Sequence, residues 1–125
     1  MPLTIVDSSV LIDVSRGRAE AISYLEAAAE AGELWSVTPV RTELWAGARP
    51  EEMALIDSLL ARLRWQDVTV SIADLAGTYA NRYRQSHFIS FIDLALAAAA
   101  TELDATLATL NVRHFPMFPD LQPPY

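Results

Sequence analysis

LTIVDSSVLIDV, residues 3–14, decides the fold. A short apolar, largely β-branched run meets an acid at Asp7, and two serines then open a segment carrying Val10, Leu11 and Val14. The first part reads as a buried strand, because β-branched side chains pack well on a pleated surface and the run has no polar face. The second reads as a helix capped by Ser8 or Ser9 and stopped at Gly17. A buried strand feeding directly into a helix is the opening of a parallel α/β sheet, with Asp7 at the strand's carboxyl end.

The same alternation continues outward. RAEAISYLEAAAEAG (18–32) is an amphipathic helix with Ile22, Leu25 and Ala29 on one face, ended by Gly32, and ELWSV (33–37) is a second strand. PVRTELWAGA (39–48) is a helix with Pro39 in its first turn and Gly47 at its end. PEEMALIDSLLARL (50–63) is another, with glutamates first and arginine last, as the helix dipole favours. WQDVTVS (65–71) is the third strand, IADLAGTYANRYRQS (72–86) a helix, FIDLALAAAATELD (91–104) a strongly apolar central helix, and ATLATLN (105–111) the fourth strand. FPMFPDLQPPY (115–125) is a proline-broken tail with room for one edge strand. Strands alternating with helices imply a parallel sheet covered on both faces. The 125 residues carry no repeat, linker or composition break, so the expectation is a single domain over 1–125.

Composition removes whole classes of chemistry. With 52% apolar and 20% charged residues the chain is globular rather than disordered. The absence of cysteine excludes disulfide frameworks, thiol catalysis and cysteine-based metal centres. All nine basic residues are arginine, which excludes lysine Schiff bases, the phosphate-loop lysine and a Ser–Lys dyad. The N-terminus has no basic region and meets Asp7 early, unlike a signal peptide. The apolar run LALAAAA (94–100) falls short of the roughly 18 residues of a membrane span, so a cytoplasmic protein is expected. A net charge of −7 argues against a basic nucleic-acid surface, except that acids gathered round a metal act as cation ligands.

Few of the acids interrupt apolar surroundings. Asp7 ends the first strand, Glu43 lies in the helix after the second, Asp93 opens the helix before the fourth, and Asn111 ends that fourth strand. In open parallel sheets, sites form outside the carboxyl ends of the strands. Three carboxylates and an amide there make a hard, all-oxygen site suited to Mg2+ or Mn2+. Without a cation such carboxylates repel and raise one another's pKa; with one or two ions they can activate water and stabilise a phosphoryl transition state. Thr109 shares a strand face with Asn111 and is placed to hydrogen-bond a carboxylate, while Ser8 and Ser9 read first as caps, with a further bond to Asp7.

Plainer readings stand beside these. Asp7 can simply cap a helix, Glu43 can be a surface residue, Asp93 can be the acid favoured by a helix dipole, and Asn111 can be a turn residue. Asp13 falls off the site and reads as solvated; Asp104 and Asp120 read as turn residues. His114, beside Phe115, reads as structural or exposed before it reads as an acid–base group, and His87 is weaker still. Arg41 and Arg49 flank the Glu43 helix, while Arg82, Arg84 and Arg113 are scattered; a phosphate grip and a solvated surface are both open for them. Trp35, Trp45 and Trp65 read as core or interface, and Trp45 with Leu44 is the candidate partner-facing surface.

DSSVLID, TPVRTELWAG, FIDLALAAAA and TLNVRHF, in that order across nearly the whole chain, resemble the PIN domain, specifically the VapC-type toxins of bacterial type II toxin–antitoxin pairs. The resemblance implies a three-layer α/β/α fold with sheet order 3-2-1-4-5. It implies an endoribonuclease that hydrolyses RNA phosphodiester bonds through a metal-activated water, with Mg2+ or Mn2+ held by Asp7, Glu43, Asp93 and Asn111. Many relatives carry Asp at the fourth position; Asn111 keeps an oxygen but loses a charge, which leaves one ion or two open. The resemblance also implies a homodimer, and a heterotetramer or larger assembly with a VapB-type antitoxin that occludes the cleft. A receiver-type signalling domain would need an acceptor Asp ending the third strand and a later lysine, whereas Asp67 lies within the strand reading and lysine is absent. A catalytically silent PIN-type binding module remains the alternative.

Overall fold

The computed structural model describes residues 2–83 and 89–125. Its elements are β1 (Leu3–Val6), α1 (Ser8–Ser15), α2 (Ala19–Ala31), β2 (Glu33–Val37), α3 (Thr38–Gly47), α4 (Met53–Leu60), β3 (Arg64–Gln66), α5 (Val70–Tyr83), α6 (Phe91–Glu102) and β4 (Thr106–Ala108). Short 3-10 turns cover Pro50–Glu52 and Val112–His114. All strand pairs are parallel, in the order β3-β2-β1-β4, with Ile5 opposite both Trp35 and Leu107. Successive strand residues Ile5 and Val6 point to opposite faces and are both fully buried, so both faces of the sheet are covered, as a parallel sheet requires.

α6 is buried without a break from Asp93 to Ala100 and packs on β2 and β4. Its run of alanines explains the close approach, since a methyl side chain lets a helix backbone sit near the sheet. Close approach recurs where α2 ends. The Glu33 N–H donates to the Pro2 carbonyl at 2.9 Å, and a Cβ on Gly32 would overlap that same oxygen. Among the described residues no helix is long and apolar enough to cross a membrane.

Several boundaries differ from the sequence reading, each for a local reason. Among the described residues the sheet has four strands rather than five. The tail cannot supply the fifth, because Pro116, Pro119, Pro123 and Pro124 remove ladder donors, and the chain there takes turns instead. The third strand is Arg64–Gln66, not 65–71, because the Thr69 hydroxyl accepts the Ile72 N–H at 3.1 Å and starts α5 at Val70. Helix 50–63 divides into a 3-10 turn and α4, and the fourth strand contracts to Thr106–Ala108. The cap of α1 is Asp7 itself rather than Ser8 or Ser9.

Candidate active site

β1 ends at Val6, so the next side chain, Asp7, emerges at the carboxyl edge of the sheet beside the end of β4. Asp7 is only 2% exposed, and every oxygen is engaged. Oδ1 accepts the Ser8 N–H at 2.7 Å and the Ser8 hydroxyl at 3.3 Å, while Oδ2 accepts the Ser9 hydroxyl at 3.2 Å and the Thr109 hydroxyl at 2.6 Å. Asp7 therefore caps α1 while standing at the sheet edge where the sequence reading places a candidate site. Ser9 in turn accepts the Leu110 N–H, and Thr109 accepts the Asn111 N–H, which locks the end of β4 onto the start of α1.

Asp93 reaches the same place from the first turn of α6. Ser90 caps that helix by accepting the Asp93 N–H at 3.2 Å. The Asp93 carboxylate, nearly buried, meets His114 Nδ1 at 2.9 Å. Burial pushes the Asp93 carboxyl above its ordinary range and the charge of Asp7 adds to the rise, with His114 and Ser90 opposing it. Glu43, on α3, is raised as well: burial of its carboxyl comes first, a hydrogen bond with Ser8 opposes it, and the charges of Asp7 and Asp93 push it further up. Glu43 as a residue stays on the surface.

Asp7, Ser8, Glu43, Ser90, Asp93, Asn111 and His114 line one cleft of about 210 Å³. The predicted set of Asp7, Glu43, Asp93 and Asn111 thus shares one cleft, with Ser9 and Thr109 behind Asp7. Ser90 and His114 are the additions. Ser90 stands three residues before Asp93 and just ahead of an apolar run, a capping pattern legible in the sequence. His114 ends the 3-10 turn that Asn111 caps, which brings it to the same cleft.

The donors suit a hard divalent cation. Among the described residues no arginine pairs with Asp7, Glu43 or Asp93, so the negative charge of the cleft meets no fixed counter-charge. Nor does any group of three acids or imidazoles there stand close enough to close on one ion. A small ion that takes one or two carboxylates directly and reaches the rest through water needs no such group.

Other candidates go elsewhere. Asp13 lies off the site, and instead of being solvated it accepts from Arg18 at 3.0 Å and from the Tyr125 hydroxyl at 2.8 Å. Arg41 stacks on Trp65 at 4.7 Å, and the Arg49 N–H donates to Glu52. Among the described residues Arg82 and Arg113 are exposed and have no acidic partner. Leu44 is 2% exposed and belongs to the core, so it cannot form a partner-facing surface with Trp45. Trp35, Trp45 and Trp65 all pack against the core. Arg84 and His87 lie outside the described residues.

Residues 4–118 match the PIN domain family. The chain is 42% identical to Ribonuclease VapC19 of Mycobacterium tuberculosis over 98% of its own length and 100% of that relative's. It is 43% identical to Ribonuclease VapC10 of the same organism, over 98% of this chain and 93% of that one. A chain of a toxin–antitoxin complex from Klebsiella pneumoniae superposes with a TM-score of 0.82 over 98% of each chain at 23% identity, a likeness of fold.

Proposed function

The chain belongs to the PIN domain family, and from that premise we propose that it is a VapC-type toxin, a Mg2+- or Mn2+-dependent endoribonuclease restrained by a VapB-type antitoxin. The observation that carries this reading is the cleft itself, which gathers two buried aspartates and a glutamate with no arginine against them among the described residues. VapC19 and VapC10, which the chain matches over nearly their whole length, are ribonucleases by name, and one structural neighbour comes from a toxin–antitoxin complex. The proposal extends to a single cytoplasmic domain over residues 1–125, acting as a homodimer that joins its antitoxin in a heterotetramer or larger assembly.

Asp7 and Asp93 would hold the ion, with Glu43 and Asn111 completing its surroundings. One ion or two fit this donor set. Bound there, a divalent cation supplies water activation and neutralises charge on the phosphoryl group. The chain's own groups do the rest. Ser8, Ser9 and Thr109 fix the Asp7 carboxylate in a single orientation. Glu43, its basicity raised by burial and like charge, is suited to take the proton released when water attacks phosphorus. Arg113, between Asn111 and His114 and without an acidic partner among the described residues, is available to a phosphate. No side chain acts as nucleophile, so no covalent intermediate forms.

The test uses the full chain freed of any antitoxin. RNA cleavage with Mg2+ or Mn2+ that stops on EDTA, and that Asp7→Asn or Asp93→Asn abolishes without unfolding, supports the reading. Cleavage that persists in EDTA, or survives both substitutions, overturns the metal mechanism. A folded wild type that binds its antitoxin and Mn2+ yet cleaves no RNA is instead a silent binding module.

A further inference from the structure

We propose that His114 is a positioning residue for Asp93, an assignment that rests on the cation-dependent reading above and adds a residue to it. The ring meets Asp93 Oδ2 through Nδ1 at 2.9 Å. Against an ionised carboxylate the shared hydrogen belongs to Nδ1, so the imidazole donates, and Oδ1 is left for the cleft. The ring itself is half exposed at the rim, while the carboxylate it holds is nearly buried.

The backbone makes this contact a fixed one. The His114 N–H closes on the Asn111 carbonyl at 2.9 Å, the Phe115 N–H closes on Val112 at 3.1 Å, and the Phe115 side chain is fully buried. The imidazole is therefore carried on a turn pinned at both ends. The same short segment also holds the other aspartate, through Thr109 directly and through Leu110 by way of Ser9. Residues 109–114 thus clasp Asp7 at one end and Asp93 at the other.

Two like charges facing one cleft push each other apart, and Asp93 is the member with freedom to yield. Asp7 is bonded through both oxygens by three side chains and a backbone N–H, whereas the Asp93 carboxylate has His114 at 2.9 Å with only Ser90 beside it among the described residues. Without the imidazole the carboxylate relieves its repulsion from Asp7 by rotating away. With it, Asp93 stays aimed at the cleft before any ion arrives. Hydrogen bonds that orient a ligating carboxylate in this way typically govern metal affinity by about 10–100-fold.

The experiment is a Mn2+ titration of the full chain, followed by electron paramagnetic resonance without RNA, beside melting curves of the cation-free protein. His114→Ala is expected to weaken Mn2+ binding by about tenfold or more. His114→Asn, whose amide can donate from the Nδ1 position, should keep most of the wild-type affinity, and His114→Gln, whose amide sits further out, should not. The melting temperature should change little, since the ring is half exposed; if the alanine variant fails to fold, the Asn–Gln comparison decides. Equal Mn2+ affinity in wild type and His114→Ala, or equal loss in the Asn and Gln variants, overturns the assignment and leaves the metal site standing. Failure of the wild type to bind Mn2+ removes the metal site and the assignment together. A ring that acted on the RNA instead would lower cleavage while Mn2+ affinity stayed unchanged, which also overturns it.

Discussion

The Thr109 hydroxyl lies 2.6 Å from Asp7 Oδ2 and joins the ends of β4 and β1 across 102 positions of sequence. Thr109 is fully buried, and its oxygen donates to Asp7 while accepting the Asn111 N–H at 3.0 Å. Replacing it by the near-isosteric valine keeps the volume and removes both bonds. Thr109→Val should cost about 1–3 kcal/mol in urea unfolding, because a buried carboxylate and a part-buried amide each lose a partner. RNA cleavage should fall with it, and Thr109→Ser should restore most of both. A valine variant as stable and active as wild type would show that Ser8 and Ser9 alone suffice to hold Asp7.

Asp93 gives the second prediction, through pH. Burial first, and then the charge of Asp7, hold its carboxyl above the ordinary value of 3.8. A carboxyl that binds its proton more tightly when folded favours the folded state below the unfolded pKa, and that advantage is lost as pH rises through the folded one. At neutral pH the ionised Asp93 therefore destabilises the cation-free protein. Asp93→Asn should melt higher than wild type at pH 7 in EDTA, with the gap closing as pH falls through the carboxylate range. Added Mn2+ should raise the melting temperature of wild type and leave the variant unmoved. An asparagine variant that melts lower at pH 7 in EDTA counts against the repulsion.

How much of this was readable beforehand follows the range of the interaction concerned. LTIV and the alanine-rich α6 were legible because propensity and periodicity act within a few residues, and both agree with the global packing. The segment Val68–Thr69–Val70 misleads for the same local reason. It is β-branched and looks like strand, but one threonine hydroxyl turned towards Ile72 starts a helix there. Leu44 carries its own signal for the core, since Val40 and Leu44 stand four apart on the buried face of α3. The candidate carboxylates and Asn111 could be brought to one edge by topology alone, because strand ends and helix starts share that edge. The His114–Asp93 pair, Arg41 over Trp65 and Tyr125 on Asp13 have no such signature. Each joins side chains whose separation in space is set only when the whole chain has packed.

Two glycines should respond to alanine in opposite ways. At Gly32 a Cβ would overlap the Pro2 carbonyl oxygen, a backbone atom that also accepts the Glu33 N–H, so relief requires moving the start of β1. Gly32→Ala should destabilise by about 1–3 kcal/mol, the usual cost of overpacking. Gly77 lies within α5 on an exposed face with open space around it. Gly77→Ala should stabilise by up to about 1 kcal/mol through helix propensity and a less flexible unfolded chain. Paired urea melts of the two variants check the sign of each; a Gly32→Ala variant as stable as wild type would contradict the contact at Pro2, and a destabilised Gly77→Ala variant would contradict the open space at α5.

Asn111 tests the charge of the site from the other direction. Its N–H is tied to Thr109, but its side chain has no hydrogen-bond partner among the described residues and lines the cleft. Asn111→Asp keeps the shape and adds a carboxylate to a cleft that already holds Asp7, Glu43 and Asp93. In EDTA the added like charge should lower the melting temperature. With Mn2+ present the same charge should raise affinity several-fold, so the span between the two melting temperatures widens beyond that of wild type. The two shifts must have opposite signs, because one carboxylate is unpaired in the first condition and faces a cation in the second. A variant whose melting temperature in EDTA and Mn2+ affinity both match wild type would place position 111 beyond the reach of the ion and leave Asp7, Glu43 and Asp93 as its donors.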